Sequence, residues 1–422
     1  MVRAQKRSKW PSTSPRLPLD KFAIAIFCAA LIASCRTGPR PKPTPTIVAP
    51  AAPAFIPVPP ACRPARDVVL PMTVNARRSC VIDVGSRNVK LLVAETPGDD
   101  PRGLTAVRTC RTRLGLGEKG EELPVNDRLV LADLIKNYSA LCTRDGGELV
   151  GTFATEWARR STNLAAIVRD VQQGAGVEME TVSQEREGLL GYLAATKGQR
   201  GRVVFDFGSR SFQISVWPPG ATAPTMLGLP LGIDEVGERF FDDPAIKDYA
   251  TGEKALIAAV RKGLLALPEW KASLKRASGK LGKTLVSLGE NGDVALAMGG
   301  HLWGAKKAGA IDEASYNDKV AASNARVQAP FGRVMGVIEV AALRAWRRRL
   351  QRDPALFDEL RSPARNKHFG HKMMAFPALV GWLSSEFGVE RIVLVPDELA
   401  MGVLVEASLA AQLAKGSHRS GK

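Results

Sequence analysis

The chain has no Cys-x-x-Cys pair, and its four histidines fall at no spacing that metal ligation requires. Neither a structural zinc nor a catalytic thiol is expected. Acid is nearly absent from the first 66 residues, where Asp20 stands alone against 11 Lys and Arg. That segment carries +10 of the net +17 and leaves +7 for the rest. The main body is therefore only mildly basic, which suits a small anionic substrate and gives no reason to invoke DNA or RNA. The apolar run Phe22 to Ile32 is too short to span a bilayer comfortably. Against these absences stand 422 residues, 45% hydrophobic and 24% charged. Those are ordinary globular values, with length for two domains plus a leader.

The first residues read as an address. Arg3, Lys6, Arg7, Lys9, Arg16 and Lys21 precede the apolar run, and Leu31-Ile32-Ala33-Ser34-Cys35 closes it. The order resembles a bacterial signal peptide with a lipobox, in which Cys35 is the lipidation site. The alternatives are a short membrane anchor or a cytoplasmic protein with a wrongly assigned start. Arg36, rather than Asp, follows the cysteine, so a lipid-anchored position on the periplasmic face is expected, the outer membrane favoured over the inner. Ten prolines between Arg36 and Arg66 favour an extended tether. Cys62, Cys80, Cys110 and Cys142 remain for disulfides, with three connectivities open.

From Ser79 onward, apolar runs of strand length alternate with helical periodicity. Strands are expected at Val81–Val84, Val89–Val93, about Thr105–Leu114, Glu148–Thr155 and Val177–Val182, and helices at Val125–Leu141, Asn163–Gln173 and Gln184–Ala195. At Val203 the opening returns. Asp83-Val84-Gly85-Ser86-Arg87 and Asp206-Phe207-Gly208-Ser209-Arg210 each lie between two apolar strands, an internal repeat. Glycine lets backbone N–H groups approach an anion, serine adds a hydroxyl, and arginine adds charge. An aspartate at the strand end can hold a cation or its water.

The two loops resemble those of the sugar kinase, Hsp70 and actin superfamily. More narrowly, the chain resembles the Ppx/GppA family of exopolyphosphatases and guanosine pentaphosphate phosphohydrolases. The resemblance runs through Ile82-Asp83-Val84-Gly85-Ser86-Arg87-Asn88-Val89-Lys90-Leu91 and Thr112-Arg113-Leu114-Gly115-Leu116-Gly117. It continues through Ala154-Thr155 with Arg159 and Asn163, Val182-Ser183-Gln184-Glu185-Arg186-Glu187, Leu229-Pro230-Leu231-Gly232, and Arg391 to Glu406. It implies an α/β fold of two RNase-H-like lobes with an interlobe cleft. The domains expected are a leader over 1–35, a tether over 36–77, lobes over 78–200 and 201–412, and a disordered basic tail over 413–422.

The resemblance implies hydrolysis of phosphoanhydrides in polyphosphate or a polyphosphorylated nucleotide, with a divalent cation such as Mg²⁺. Glu187 matches the catalytic base. Asp83 and Asp206 match the carboxylates that organise metal or water. Gly85, Ser86, Arg87, Arg159, Gly208, Ser209 and Arg210 match the phosphate-binding positions. A homodimer is left open. The departures are specific. The family's Asp-x-Gly-Gly-Gly-Ser-x-Glu loop reads Asp206 to Gln213 here, with Arg210 for a glycine and Gln213 for the closing glutamate. Arg210 is expected to replace metal in part. A later Gly-Thr-x-Gly-Thr loop reads Gly289 to Asp293, and a closing Gly-Leu-Arg-Glu-Gly reads Glu398-Leu399-Ala400-Met401-Gly402. These losses point to the competing class, a degenerate relative that binds phosphate polymers without turnover, or a tethered scaffold. The basic stretch Arg344, Arg347, Arg348, Arg349 and Arg352 is read as a solvated helix face.

Overall fold

The computed structural model describes residues 61–63, 68, 70–71, 76–97, 100–218, 220–265, 284–288, 336–362, 367–395 and 398–419. Cys35, the leader, most of the tether and the Gly289–Asp293 loop lie outside them. Among the described residues no helix is long and apolar enough to cross a membrane.

Among the described residues, two six-stranded mixed sheets carry the fold. The first contains β1 (Ala61–Arg63), β2 (Ala76–Val84), β3 (Asn88–Pro97), β4 (Thr105–Arg113), β5 (Glu148–Ala154) and β6 (Glu180–Thr181), ordered β1-β4-β3-β2-β5-β6. The second contains β7 (Val203–Phe207), β8 (Phe212–Val216), β9 (Thr225–Leu229), β10 (Thr284–Leu288), β11 (Gly336–Glu339) and β12 (Arg391–Val395), ordered β11-β12-β10-β7-β8-β9. Each opens with an antiparallel meander, β2-β3-β4 or β7-β8-β9, and adds parallel strands beyond its first strand. The shared order is the duplication expected from the repeated Asp-x-Gly-Ser-Arg segments. The turns also share a bond: Gly85 N donates to Asn88 O at 3.0 Å, and Gly208 N to Ser211 O at 2.9 Å.

Helices α1 (Val125–Arg144), α2 (Glu156–Arg160), α3 (Leu164–Ala175) and α4 (Gln184–Thr196) follow in the first half. The second half adds α5 (Ile233–Phe240), α6 (Tyr249–Leu265), α7 (Val340–Arg352), α8 (Pro354–Arg361), α9 (Lys367–Phe387) and α10 (Leu399–Arg419). Leu131, Leu134, Ile135, Tyr138 and Leu141 recur at helical spacing on α1 and are buried with Ile82, Leu91 and Val93 of the first sheet. The second sheet buries Phe205, Phe212 and Ile214 with Phe376 and Leu379 of α9. A third cluster joins the halves: Leu190 and Leu193 of α4 and Leu404 and Val405 of α10 pack with Val81, Phe153, Val204 and Val393 from both sheets. Burial at about 25 cal/mol per Å² makes these packed faces the main stabilising contribution.

Three expectations need correction. The tether expected through residue 77 ends earlier, because Ala61–Arg63 joins the edge of the first sheet, with Cys62 opposite Cys110 in register and in disulfide linkage. An edge strand tolerates flanking prolines because one side needs no ladder bonds. The buried guanidiniums of Arg78 and Arg108 then take carbonyl acceptors from Leu70, Pro71 and Val68. Buried charge needs such partners. The strand expected over Val177–Val182 forms only at Glu180–Thr181. The tail expected from 413 is helical through Arg419, as the last turns of the helix that begins at Leu399. Cys80 and Cys142 form the second disulfide.

Arg344, Arg348, Arg349 and Arg352 are exposed on α7, as expected of a solvated face. Arg347 differs, because it turns inward to pair with buried Glu253.

Candidate active site

The two loops face one cavity of about 290 Å³. Asp83, Gly85, Ser86 and Arg87 line it from the first sheet, and Asp206, Gly208, Ser209 and Arg210 from the second. Glu187 enters from α4. That helix starts where Ser183 accepts from Arg186 N at 3.1 Å, which fixes the first turn and aims Glu187 inward at 6% exposure.

The loops are held by backbone bonds. Leu114 N and Gly115 N both donate to Arg87 O at 3.0 Å, and Gly117 N donates to Ser86 O at 2.7 Å. The start of α5 supports the second loop, with Ile233 N on Gly208 O at 2.9 Å and Asp234 N on Ser209 O at 3.1 Å. Gly232 permits that approach, since a Cβ there would sit 2.0 Å from Arg210 N.

The carboxylates are electrostatically unusual. Burial raises Glu187 to about 8, against the opposing pull of Arg159, and the charges of Asp206 and Asp83 add to the rise. Burial raises Asp206 to about 7, with Lys90 opposing and Asp83 and Glu398 reinforcing. Asp83 is raised to about 6 by burial, again opposed first by Lys90. Three acids with raised proton affinity around one cavity form a site poised for proton transfer or cation binding.

Arg159 is the sequence-expected residue that does not line the cavity. Its Nη2 donates to Glu187 Oε2 at 2.8 Å, its Nη1 to Val182 O at 2.7 Å, and its Nε to Glu156 Oε2 at 3.0 Å. It stands behind the base. Arg87 lies 3.3 Å from Glu118 and 3.7 Å from Asp234 of the second half. Arg210 reaches across the cleft and donates to the Gly117 carbonyl. Gln213 is buried outside the cavity lining, its amide donating to Ser211 Oγ at 3.0 Å.

The residues fit a hard divalent cation. Asp83 Oδ1 is buried without a hydrogen-bond partner, and Asp206 is the nearby second carboxylate. No group of three or more His, Cys, Asp or Glu is set for metal among the described residues. Two carboxylates completed by phosphate oxygens and water is the mode Mg²⁺ favours. Lys90, Lys372 and Glu398 line the same cavity, though sequence alone assigned none of them a site role. Lys90 was legible in principle, because it faces Asp83 across the hairpin. Glu398 opens the altered closing motif, but nothing local gives it a role.

Paired mixed sheets with duplicated loops facing one cavity make the two-lobed α/β fold expected from the sequence. Solved structures share this fold. Residues 125–284 match the model of the Ppx/GppA phosphatase family. The crystal structure of the Aquifex aeolicus Ppx/GppA family member is similar with a TM-score of 0.56 at 20% identity, over 80% of this chain and 99% of that one. An exopolyphosphatase from Cytophaga hutchinsonii gives 0.56 at 14% identity, over 79% of this chain and 98% of that one. An uncharacterized protein of Streptomyces coelicolor is 30% identical over 197 residues, 44% of this chain. The match spans 56% of that relative's length.

Proposed function

We propose that this protein hydrolyses phosphoanhydride bonds in the manner of exopolyphosphatases and guanosine pentaphosphate phosphohydrolases. Its substrate would be inorganic polyphosphate or a polyphosphorylated nucleotide, shortened by one terminal phosphate per turn. The observation that carries this reading is Glu187, buried at the head of α4 with its affinity for a proton raised, facing a cavity between two matched loops. In that position the ionised carboxylate takes a proton from a water molecule as the water oxygen attacks the terminal phosphorus. The bridging P–O bond breaks, and the shortened chain leaves with its electron pair. The amides of the Gly85 and Gly208 turns, the hydroxyls of Ser86 and Ser209, and Arg87 are positioned to meet phosphate oxygens. Asp83 and Asp206 would hold the divalent cation, which neutralises phosphate charge when bound.

Two disulfides support a position outside the cytoplasm, where oxidised cysteine persists. Together with the lipobox at Cys35 they support a lipid-anchored envelope protein, its tether leading to two lobes. Outside the cytoplasm nucleotides are scarce, so polyphosphate is the preferred substrate. A second reading, a binder that retains polyphosphate without turnover, draws on Gln213, whose neutral side chain is bonded to Ser211 rather than turned to the cleft.

The test is phosphate release from long-chain polyphosphate and from guanosine pentaphosphate by the full chain with Mg²⁺, beside Glu187→Gln. Loss of general-base action should lower the rate by about 10² to 10⁴. Tight polyphosphate binding with no release by the native chain would replace the hydrolase with the binder.

A further inference from the structure

Asp83, Lys90 and Arg111 form one row across the first sheet. Asp83 is opposite Lys90 between β2 and β3, and Lys90 is opposite Arg111 between β3 and β4. Directly opposite residues in antiparallel strands share a face, so Lys90 and Arg111 are like charges side by side. Such a pair is unfavourable unless an anion joins it. Glu398 is that anion. It lies at the head of α10, where its carbonyl accepts from Met401 N at 2.9 Å. Its Oε1 accepts from Arg111 Nη2 at 2.8 Å, and its Oε2 stands 3.1 Å from Lys90 Nζ.

The same ammonium is 4.0 Å from Asp83 Oδ2. It is therefore closer to Glu398 than to the carboxylate beside it on the sheet. Asp83 Oδ1, on a residue only 4% exposed, lacks a hydrogen-bond partner and belongs to the cavity lining. We propose that Glu398 is a positioning residue which holds the Lys90 ammonium away from Asp83, and so leaves the Asp83–Asp206 pair open to a divalent cation. This rests on the reading that those two aspartates hold the cation. Without Glu398, Lys90 relaxes from 4.0 Å toward contact with Asp83. It then competes with the cation as a built-in counter-charge. Arg111 is the fixed end of the device, orienting one Glu398 oxygen so that the other meets Lys90.

The experiment is calorimetric titration of the full chain with Mn²⁺ in the absence of any phosphate ligand. Glu398→Gln should weaken binding about tenfold, the order expected for closing an ammonium–carboxylate gap by roughly 1 Å in a partly buried site. Lys90→Met should tighten it. The double variant should bind as Lys90→Met alone, because Glu398 acts through Lys90. Unchanged affinity in Glu398→Gln would overturn the inference, as would an equal loss in the native and Lys90→Met backgrounds, which would assign Glu398 a direct charge effect. Failure of the native chain to bind Mn²⁺ in a manner lost in Asp83→Asn with Asp206→Asn would sink the cation reading itself. The melting temperature of each variant separates these outcomes from loss of fold.

Discussion

Replacing Arg159 by methionine removes the guanidinium that lies 2.8 Å from Glu187 while keeping most of the side-chain volume. The two side chains are 20% and 8% exposed, so the pair is largely shielded from solvent. Charges about 4 Å apart at an effective dielectric near 20 interact by roughly 4 kcal/mol. Arg159 also serves Glu156, which reduces the share felt by Glu187. A loss of about 1.4 to 2.8 kcal/mol corresponds to about one to two pKa units. Glu187 starts at about 8, raised by burial, and the substitution moves it higher. A base must be ionised, so the rate falls as pH drops through that value. The assay is kcat/KM for phosphate release between pH 6 and 9.5 at fixed cation. The acid limb of Arg159→Met should shift upward by at least one unit. The deficit should be about ten- to a hundredfold near neutrality and shrink as pH rises. A uniform loss at every pH with the limb unmoved would refute the reasoning, because it would mean that Arg159 contacts substrate phosphate and not the base.

Asp83, Asp206 and Glu187 have folded-state values of about 6, 7 and 8, all above their ordinary range. Their stabilising share is full below the unfolded values and lost as pH rises through the folded ones. The melting temperature in cation-free buffer should therefore decline between about pH 5 and 8, and Asp206→Asn should flatten that decline. The disulfides close loops of 48 and 62 residues. Replacing either cysteine pair by alanine should cost about 4 kcal/mol on the loop-entropy model, read as a shifted denaturation midpoint. Gly232→Ala should displace the second loop and lower phosphate release at least tenfold, since its Cβ would overlap the backbone of Ser209 and Arg210. The paired change Arg210→Gly with Gln213→Glu should increase Mg²⁺ dependence. Because Arg210 donates to the Gly117 carbonyl across the cleft, that variant should also bind substrate with a raised KM.

The local pattern of the chain determined a good deal. Alternating apolar runs around Asp83-Val84-Gly85-Ser86 and Asp206-Phe207-Gly208-Ser209 specified two hairpins, because a strand's period of two and a glycine turn are properties of neighbouring residues. The repeat implied two similar halves, and both sheets share a meander followed by parallel strands. Cavity-lining positions in those loops were legible for the same reason. What tertiary structure alone decided depends on residues far apart in the chain. Three cysteine pairings were open until β1 and β4 placed Cys62 opposite Cys110. Arg159 could be placed on a helix, but only the packed α2 and α4 set it behind Glu187, 28 positions away. Glu398 opens the altered closing motif, but its role is not written there. Its meaning comes from Lys90 and Arg111, some 300 residues earlier, whose charges become neighbours only when the sheet forms. Burial likewise follows from the closed cleft, and burial is what lifts the three carboxylates toward neutrality.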